Sequence, residues 1–300
     1  MFTNKRLLAA FLNAKRVEFD DHARYIFFSD THRGDDSASD EFARNQIVYL
    51  HALEYYHSQG YVYVEVGDGD ELWEYSDFKN IRLAHSDVFL GIKKFFDDDR
   101  CILLYGNHNI YFKSKTFVKK NLYNYYDDYS QDTRELFHGI RPHEALVLKH
   151  KESGQELLVL HGHQGDAMND QFWMVSMLLM RYFWRYLHVV GFQNPTSPAK
   201  NLYQRTKIEI KYKRFIEKHR KMIICGHTHR PKFSESHELP YFNTGSCNHS
   251  KGITGIEIAD GNIMLVSWRM AAEASGNLRV QRTVVRGPVP LKEYGKKFGG

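Results

Sequence analysis

Five short apolar runs each stop abruptly at a polar motif, and that arrangement restricts what the chain can fold into. ARYIFFSDTH covers residues 23–32, YVYVEVGD covers 61–68 and RCILLYGNH covers 100–108. ELLVLHGH covers 156–163 and KMIICGHTH covers 221–229. Runs rich in β-branched and aromatic residues, bounded by glycine and polar clusters, read as buried strands. Helical patterns fall between the early runs, in EFARNQIVYLHALEYYHSQG (41–60) and IRLAHSDVFLGIKKFFDD (81–98). Strand and helix in alternation predict an α/β domain. GITGIEIADGNIMLVSW (252–268) reads as a hairpin turning at Asp260-Gly261. The basic stretch from about Gly276, with its glycines and prolines, reads as a loose tail.

In open α/β sheets, ligands collect beyond the carboxyl ends of the strands. Here those ends carry Asp30 and His32, Asp68, Asn107 and His108, His161, and His227 and His229. Carboxylate, imidazole and amide oxygen form a donor set suited to Mn, Fe or Zn. The set exceeds the needs of one ion and fits two ions sharing a bridging carboxylate. Two ions about 3.5–4 Å apart clamp the attacking and leaving oxygens of a phosphoryl displacement and supply hydroxide near neutral pH.

The ordered string D-x-H, GD, GNH, HGH and GHTH, over roughly residues 25–250, resembles the calcineurin-like metallophosphoesterase family. The resemblance implies a four-layer α/β/β/α sandwich and a dinuclear centre holding two divalent ions, manganese first, with iron or zinc as substitutes. It assigns Asp30, His32 and His229 to one ion, Asn107, His161 and His227 to the other, and Asp68 to both. His108 becomes the imidazole that contacts the phosphate and protonates the leaving oxygen. The family usually has Asp or Glu after GNH; this chain has Asn109, so the acid that would orient His108 is missing from its expected place. Asp70 and Glu71 read as helix N-terminal acids. His163 reads as a neighbour of the ligands, and Arg33 as a side chain able to touch a substrate phosphate.

Some 60 residues separate HGH from GHTH, more than a connection needs. Within that interval QFWMVSMLLMRYFWRYLHVVGF (171–192) is strongly apolar and places Arg181 and Arg185 on one helical face. Two central arginines argue against a transmembrane span. A lid whose arginines meet substrate phosphates, a peripheral membrane contact and a homodimer interface all fit the pattern. This insertion, with GDGDELWE and Trp73, looks most like the branch containing UDP-2,3-diacylglucosamine hydrolases, which cleave a pyrophosphate in a lipid-linked nucleotide. The domain is therefore expected over 20–270, with a helical insertion at about 165–220 and a basic tail at 271–300.

The expected activity is hydrolysis of a phosphodiester or pyrophosphate in a small or lipid-linked molecule. A phosphoprotein phosphatase or nuclease would use the same centre. A metal-binding scaffold acting through its apolar helix is the non-enzymatic alternative. Lys plus Arg number 41 against 36 Asp plus Glu, an excess too small to argue for nucleic acid. Three cysteines without metal-finger spacing, and an amphipathic N-terminus without a signal-peptide core, lead us to expect a cytoplasmic location.

Overall fold

The computed structural model describes residues 2–127, 130–184 and 202–296. In chain order the strands are β1 (Lys15–Phe19), β2 (Tyr25–Phe28), β3 (Val62–Val66), β4 (Cys101–Leu104), β5 (Asn124–Asp127), β6 (Asp132–Glu135) and β7 (Ala145–His150). There follow β8 (Glu156–Leu160), β9 (Met222–Cys225), β10 (Tyr241–Asn243), β11 (Ile253–Ala259), β12 (Asn262–Ala272) and β13 (Leu278–Pro290). Six form one sheet in the order β13-β12-β11-β2-β3-β4, five form a second in the order β1-β7-β8-β9-β10, and β5 and β6, which follow α5 (Lys115–Leu122), make a separate ribbon. The five motif-bearing runs all become strands, with β2, β3 and β4 parallel in one sheet and β8 and β9 parallel in the other.

The sheets pack face to face. Phe27, Val64, Val66 and Leu104 from one share a core with Leu146, Leu157, Val159 and Ile224 from the other. On the outer face of the first sheet, α2 (Gln46–Ser58) and α4 (Ser86–Asp97) bury Tyr49, Leu53, Phe89 and Ile92. On the outer face of the second, α1 (Phe2–Leu12) and α7 (Leu202–His219) bury Leu7, Ile208, Tyr212 and Phe215. Strands covered on both faces need no polar alternation, which is why these runs read as continuously apolar. The expected four-layer α/β/β/α sandwich is the fold observed. Its consequence for function is that the ends of β2, β3, β4, β8 and β9 open onto one edge.

Three expectations need revision. The pattern over 81–98 is two helices, α3 (Phe78–Ala84) and α4, broken at a fully buried His85 whose ring bonds Asp40 (2.7 Å) and Gln46 (2.5 Å). The expected insertion at about 165–220 divides: α7 belongs to the outer layer of the sandwich, while among the described residues the segment around α6 (Trp173–Leu179) lies outside that layer. Residues 278–290 are no loose tail, since β13 pairs with β12 from Leu278 opposite Ala272 to Pro290 opposite Asn262. The cause is a buried charge. Glu257 on β11 is fully buried, and Arg282 on β13 donates to it from Nε (2.8 Å) and Nη2 (2.5 Å) while Tyr56 donates its hydroxyl. The hairpin before it forms as expected, with Asp260 and Gly261 both at positive φ, the backbone a two-residue I′ turn demands.

Removing one partner of a buried pair leaves an uncompensated charge, which costs about 3–5 kcal/mol. Arg282→Ala is expected to destabilise the protein by about 3 kcal/mol, the lower end because water reaches part of Arg282. Urea denaturation measures this, and a loss below about 1 kcal/mol would contradict the pairing's role.

Candidate metal centre

The edge is held together before any ion is considered. The β2 loop donates backbone bonds to the β3 loop from Asp30 N (to Gly67 O, 3.1 Å) and from His32 N (to Asp68 O, 2.9 Å). Asp30 accepts the His227 N–H (2.9 Å) and Asp68 accepts the His108 N–H (2.8 Å), so each carboxylate ties its own loop to another. Gly226 N donates to His161 O at 2.7 Å. Asp30, His32, Asp68, His227 and His229 all sit in the left-handed region, with φ between 49° and 68°. Non-glycine residues rarely adopt that backbone, and it persists only where the surroundings impose it, typically at functional sites. Gly106 is required by space: a Cβ there would collide with the Asp68 carboxylate and lie 2.7 Å from the His161 ring.

The side chains then converge. Asp30, His32 and His229 form one group whose ligand atoms lie within 4.8 Å of one another, and Asp68, His161 and His227 form another. Asp68 Oδ2 is 2.9 Å from His161 Nε2 and 3.9 Å from His32 Nε2, so it faces both groups. His161 Nδ1 donates to Val66 O (3.0 Å) and His32 Nδ1 donates to Glu71 (2.7 Å), which leaves Nε2 of each ring as an acceptor. His227 Nε2 donates to Asp166 (3.3 Å), leaving Nδ1 to ligate. Burial opposes charge on Asp166, but the His227 bond and charge together with the Asn169 and Met168 bonds draw its carboxyl down to about 2. Burial likewise opposes charge on Asp68, and His161 and His108 nonetheless hold it far below the usual carboxylate range.

Several atoms fit a cation and little else. The Asn107 carboxamide oxygen is buried without a hydrogen-bond partner, and so is His161 Nε2. His32 Nε2 and His229 Nε2 face each other at 3.2 Å, which requires a proton or a shared cation between them. Buried polar atoms are rarely left unpaired, so these mark the place where an ion completes the site.

The acid missing after GNH comes from elsewhere. Glu71 bonds His108 Nδ1 at 2.7 Å while also holding His32, and its own carboxylate accepts the Trp73 and Glu74 N–H groups at 3.2 and 3.3 Å. Burial resists its ionisation, yet His108 and His32 keep its carboxyl well below the ordinary range. Asn109 instead holds the loop, accepting Gly106 N (2.7 Å) and Asp68 N (3.3 Å). Trp73 stacks on the His108 ring, centroids 4.2 Å apart. Glu71 and Asp70 therefore do not cap a helix. Asp70 pairs with Arg33 Nε (2.8 Å), and Glu65 takes Arg33 Nη1 (2.8 Å) and Nη2 (3.1 Å). Arg33 is 2 % exposed with its guanidinium turned into this pair of acids, which corrects its reading as a phosphate contact.

His163 is buried beside His161 and His227, outside both ligand groups, and burial pushes its pKa well down. Arg181 is also spent, donating to the carbonyls of Leu72 (2.8 Å) and Trp73 (3.0 Å) where a substrate phosphate was expected. Arg185 lies outside the described residues. Glu71 and Asp166 escaped sequence reasoning. The only local hint was their place shortly after GD and HGH, where acids have many uses.

The calcineurin-like phosphoesterase family model matches residues 23–231, and the chain belongs to that family. Its members bind divalent metals, and the residues gathered here are of the kind that hold them. Among solved structures, a predicted phosphoesterase from Streptococcus pneumoniae TIGR4 is 13% identical, covering 87% of this chain and 97% of its own, with a TM-score of 0.35. Vacuolar Protein Sorting 29 from Cryptosporidium parvum is 10% identical, covering 88% and 98%, with a TM-score of 0.39. The Entamoeba histolytica Vps29 complexed with zinc is 13% identical, covering 88% and 99%, with a TM-score of 0.34. Likenesses of this size say nothing of what the chain acts on. No curated protein matches it.

Partners that orient metal-ligating histidines typically contribute 10–100-fold in metal affinity. Glu71→Ala is expected to weaken metal binding by about that factor, and titration with a fluorescent chelator competitor reads it. Unchanged affinity would show that the His32 bond has no bearing on the ligand.

Proposed function

We propose that the chain is a phosphoesterase with two divalent ions, manganese in our reading, which hydrolyses a phosphodiester or pyrophosphate. The observation that carries this is the pair of ligand groups meeting at Asp68, with His108 and its buried acid directly beside them. Asp30, His32 and His229 would hold one ion, Asn107, His161 and His227 the other, and Asp68 both. When bound, two such ions stabilise charge on a phosphoryl group and make water a better nucleophile at neutral pH.

The chain's own residues supply the rest. Glu71 accepts from His108 Nδ1, which fixes the ring so that its Nε2–H faces the leaving oxygen. Trp73 limits the ring's rotation from one face. As the ester bond breaks, the Nε2 proton passes to the departing oxygen, and Glu71 stays ionised to steady the ring.

The substrate reading extends to an apolar or lipid-linked molecule. Phe172, Val175, Leu178, Leu179 and Tyr182 are all exposed around α6. That segment is tethered to the site: Tyr111 donates to Met177 Sδ (3.1 Å), and Arg181 grips the turn that presents Trp73 to His108. An exposed apolar helix anchored beside the ligands suits a lid for an acyl chain, or a contact with a membrane surface. It supports, as a finer reading, a likeness to the UDP-2,3-diacylglucosamine hydrolase branch. No described helix is long and apolar enough to cross a membrane.

His108→Ala tests the assignment. General acid catalysis is worth roughly 10²–10⁴-fold, and less when the leaving group departs easily. The variant is expected to keep its metal and to lose far more activity on an alkyl phosphodiester than on a nitrophenyl one. Equal losses on both would remove His108 as the proton donor.

A further inference from the structure

On the side where His229 is most open, a cleft of about 640 Å³ runs away from the ligand groups. Its walls come from separate parts of the chain: Arg44 before α2, Arg205 in α7, Arg230 directly after His229, and Lys251 in the loop beyond β10. Glu41 is the one carboxylate among its lining residues. A hollow of about 390 Å³ continues past Arg205 and Arg230 and adds Lys232. The acid there, Glu209, is already paired with Lys213 at 2.8 Å.

Among the described residues no carboxylate pairs with Arg205 or Arg230, and Arg205 Nε is buried with no hydrogen-bond partner. Burial first, and then the charge of Arg230, lower the pKa of Arg205. Two guanidiniums repelling each other in a partly closed space concentrate positive potential toward whatever anion enters. Their planar forks suit phosphate, which accepts two parallel N–H bonds. The wall is also rigid, because Asn45 Nδ2 clamps the loop through the carbonyls of Cys247 and His249, both at 2.9 Å.

We propose that this cleft binds a second, uncleaved phosphate of the substrate between Arg205 and Arg230, while the scissile phosphate sits at the metal ligands. The substrate then carries two phosphate groups linked by a short spacer. The inference rests on the phosphoesterase reading above and narrows its substrate class.

Binding of non-hydrolysable phosphonates to the full-length, manganese-loaded protein tests it by calorimetry. Alkane bisphosphonates with spacers of about three to eight carbons are compared with the monophosphonates of equal chain length. The best bisphosphonate is expected to bind at least tenfold tighter than its monophosphonate, about the contribution of one charge-assisted contact. Arg205→Ala/Arg230→Ala should erase that difference, and Arg205→Lys/Arg230→Lys should restore part of it, which a misfolded cleft could not do. A dT10 oligonucleotide separates two sources of the same chemistry. Binding tighter than the best bisphosphonate assigns the second phosphate to a nucleic-acid backbone, and weaker binding assigns it to a small molecule. Equal affinity for mono- and bisphosphonates, or a preference that survives the double alanine variant, overturns the proposal. Because no turnover is needed, the bisphosphonate preference can hold even if every ester tested is left intact, in which case the phosphoesterase reading alone fails.

Discussion

Two carboxylates, Asp30 and Asp68, are buried almost completely at the meeting edge of two sheets, with four imidazoles crowded around them. Burying charge is costly unless it is paired or bound to a metal. The surroundings answer that cost directly: each carboxylate takes a backbone N–H from another loop, and His32, His161 and His227 each have a partner for one nitrogen and leave the other for an ion. Five of these residues hold a left-handed backbone, worth on the order of 1–3 kcal/mol of strain apiece. Only the layered core behind them, covered on both faces of each sheet, keeps such positions in place.

One short turn then serves several ends. In GDGDELWE, Asp68 faces both ligand groups, Asp70 meets the buried Arg33, Glu71 spans His32 and His108, and Trp73 stacks on His108. The carbonyls of Leu72 and Trp73 receive Arg181 from the α6 segment. A movement of that segment would therefore be felt at the His108 ring through two carbonyls and one indole. The Arg33 pairing with Glu65 and Asp70 matters here as an anchor, since it ties the loops after β2 and β3 beneath the site.

The candidate ligands were legible because each one sits immediately after its own apolar run, so a local pattern carries both the strand and the residue at its end. The alternation of strand and helix was legible for the same reason, while the four layers came from the family resemblance. What local pattern could not carry were pairings across the chain. Glu71 reaches His108 over 37 residues, Arg33 reaches Glu65 over 32, and Arg282 reaches Glu257 over 25. In sequence, Glu71 is an ordinary acid after a glycine turn, Arg33 an arginine beside a ligand, and Arg282 one of several basic residues in an unpromising tail. Each acquires its role from a partner that only the fold brings near.

The central claim is that one edge of the sandwich holds two ions joined through Asp68. Electron paramagnetic resonance of the manganese-loaded protein addresses it most directly, because two Mn(II) ions sharing a carboxylate couple magnetically and isolated ions do not. Titration to saturation should consume two equivalents per chain and give the broad multiline spectrum of a coupled pair. Saturation at one equivalent, or an uncoupled six-line spectrum at two, would contradict the account.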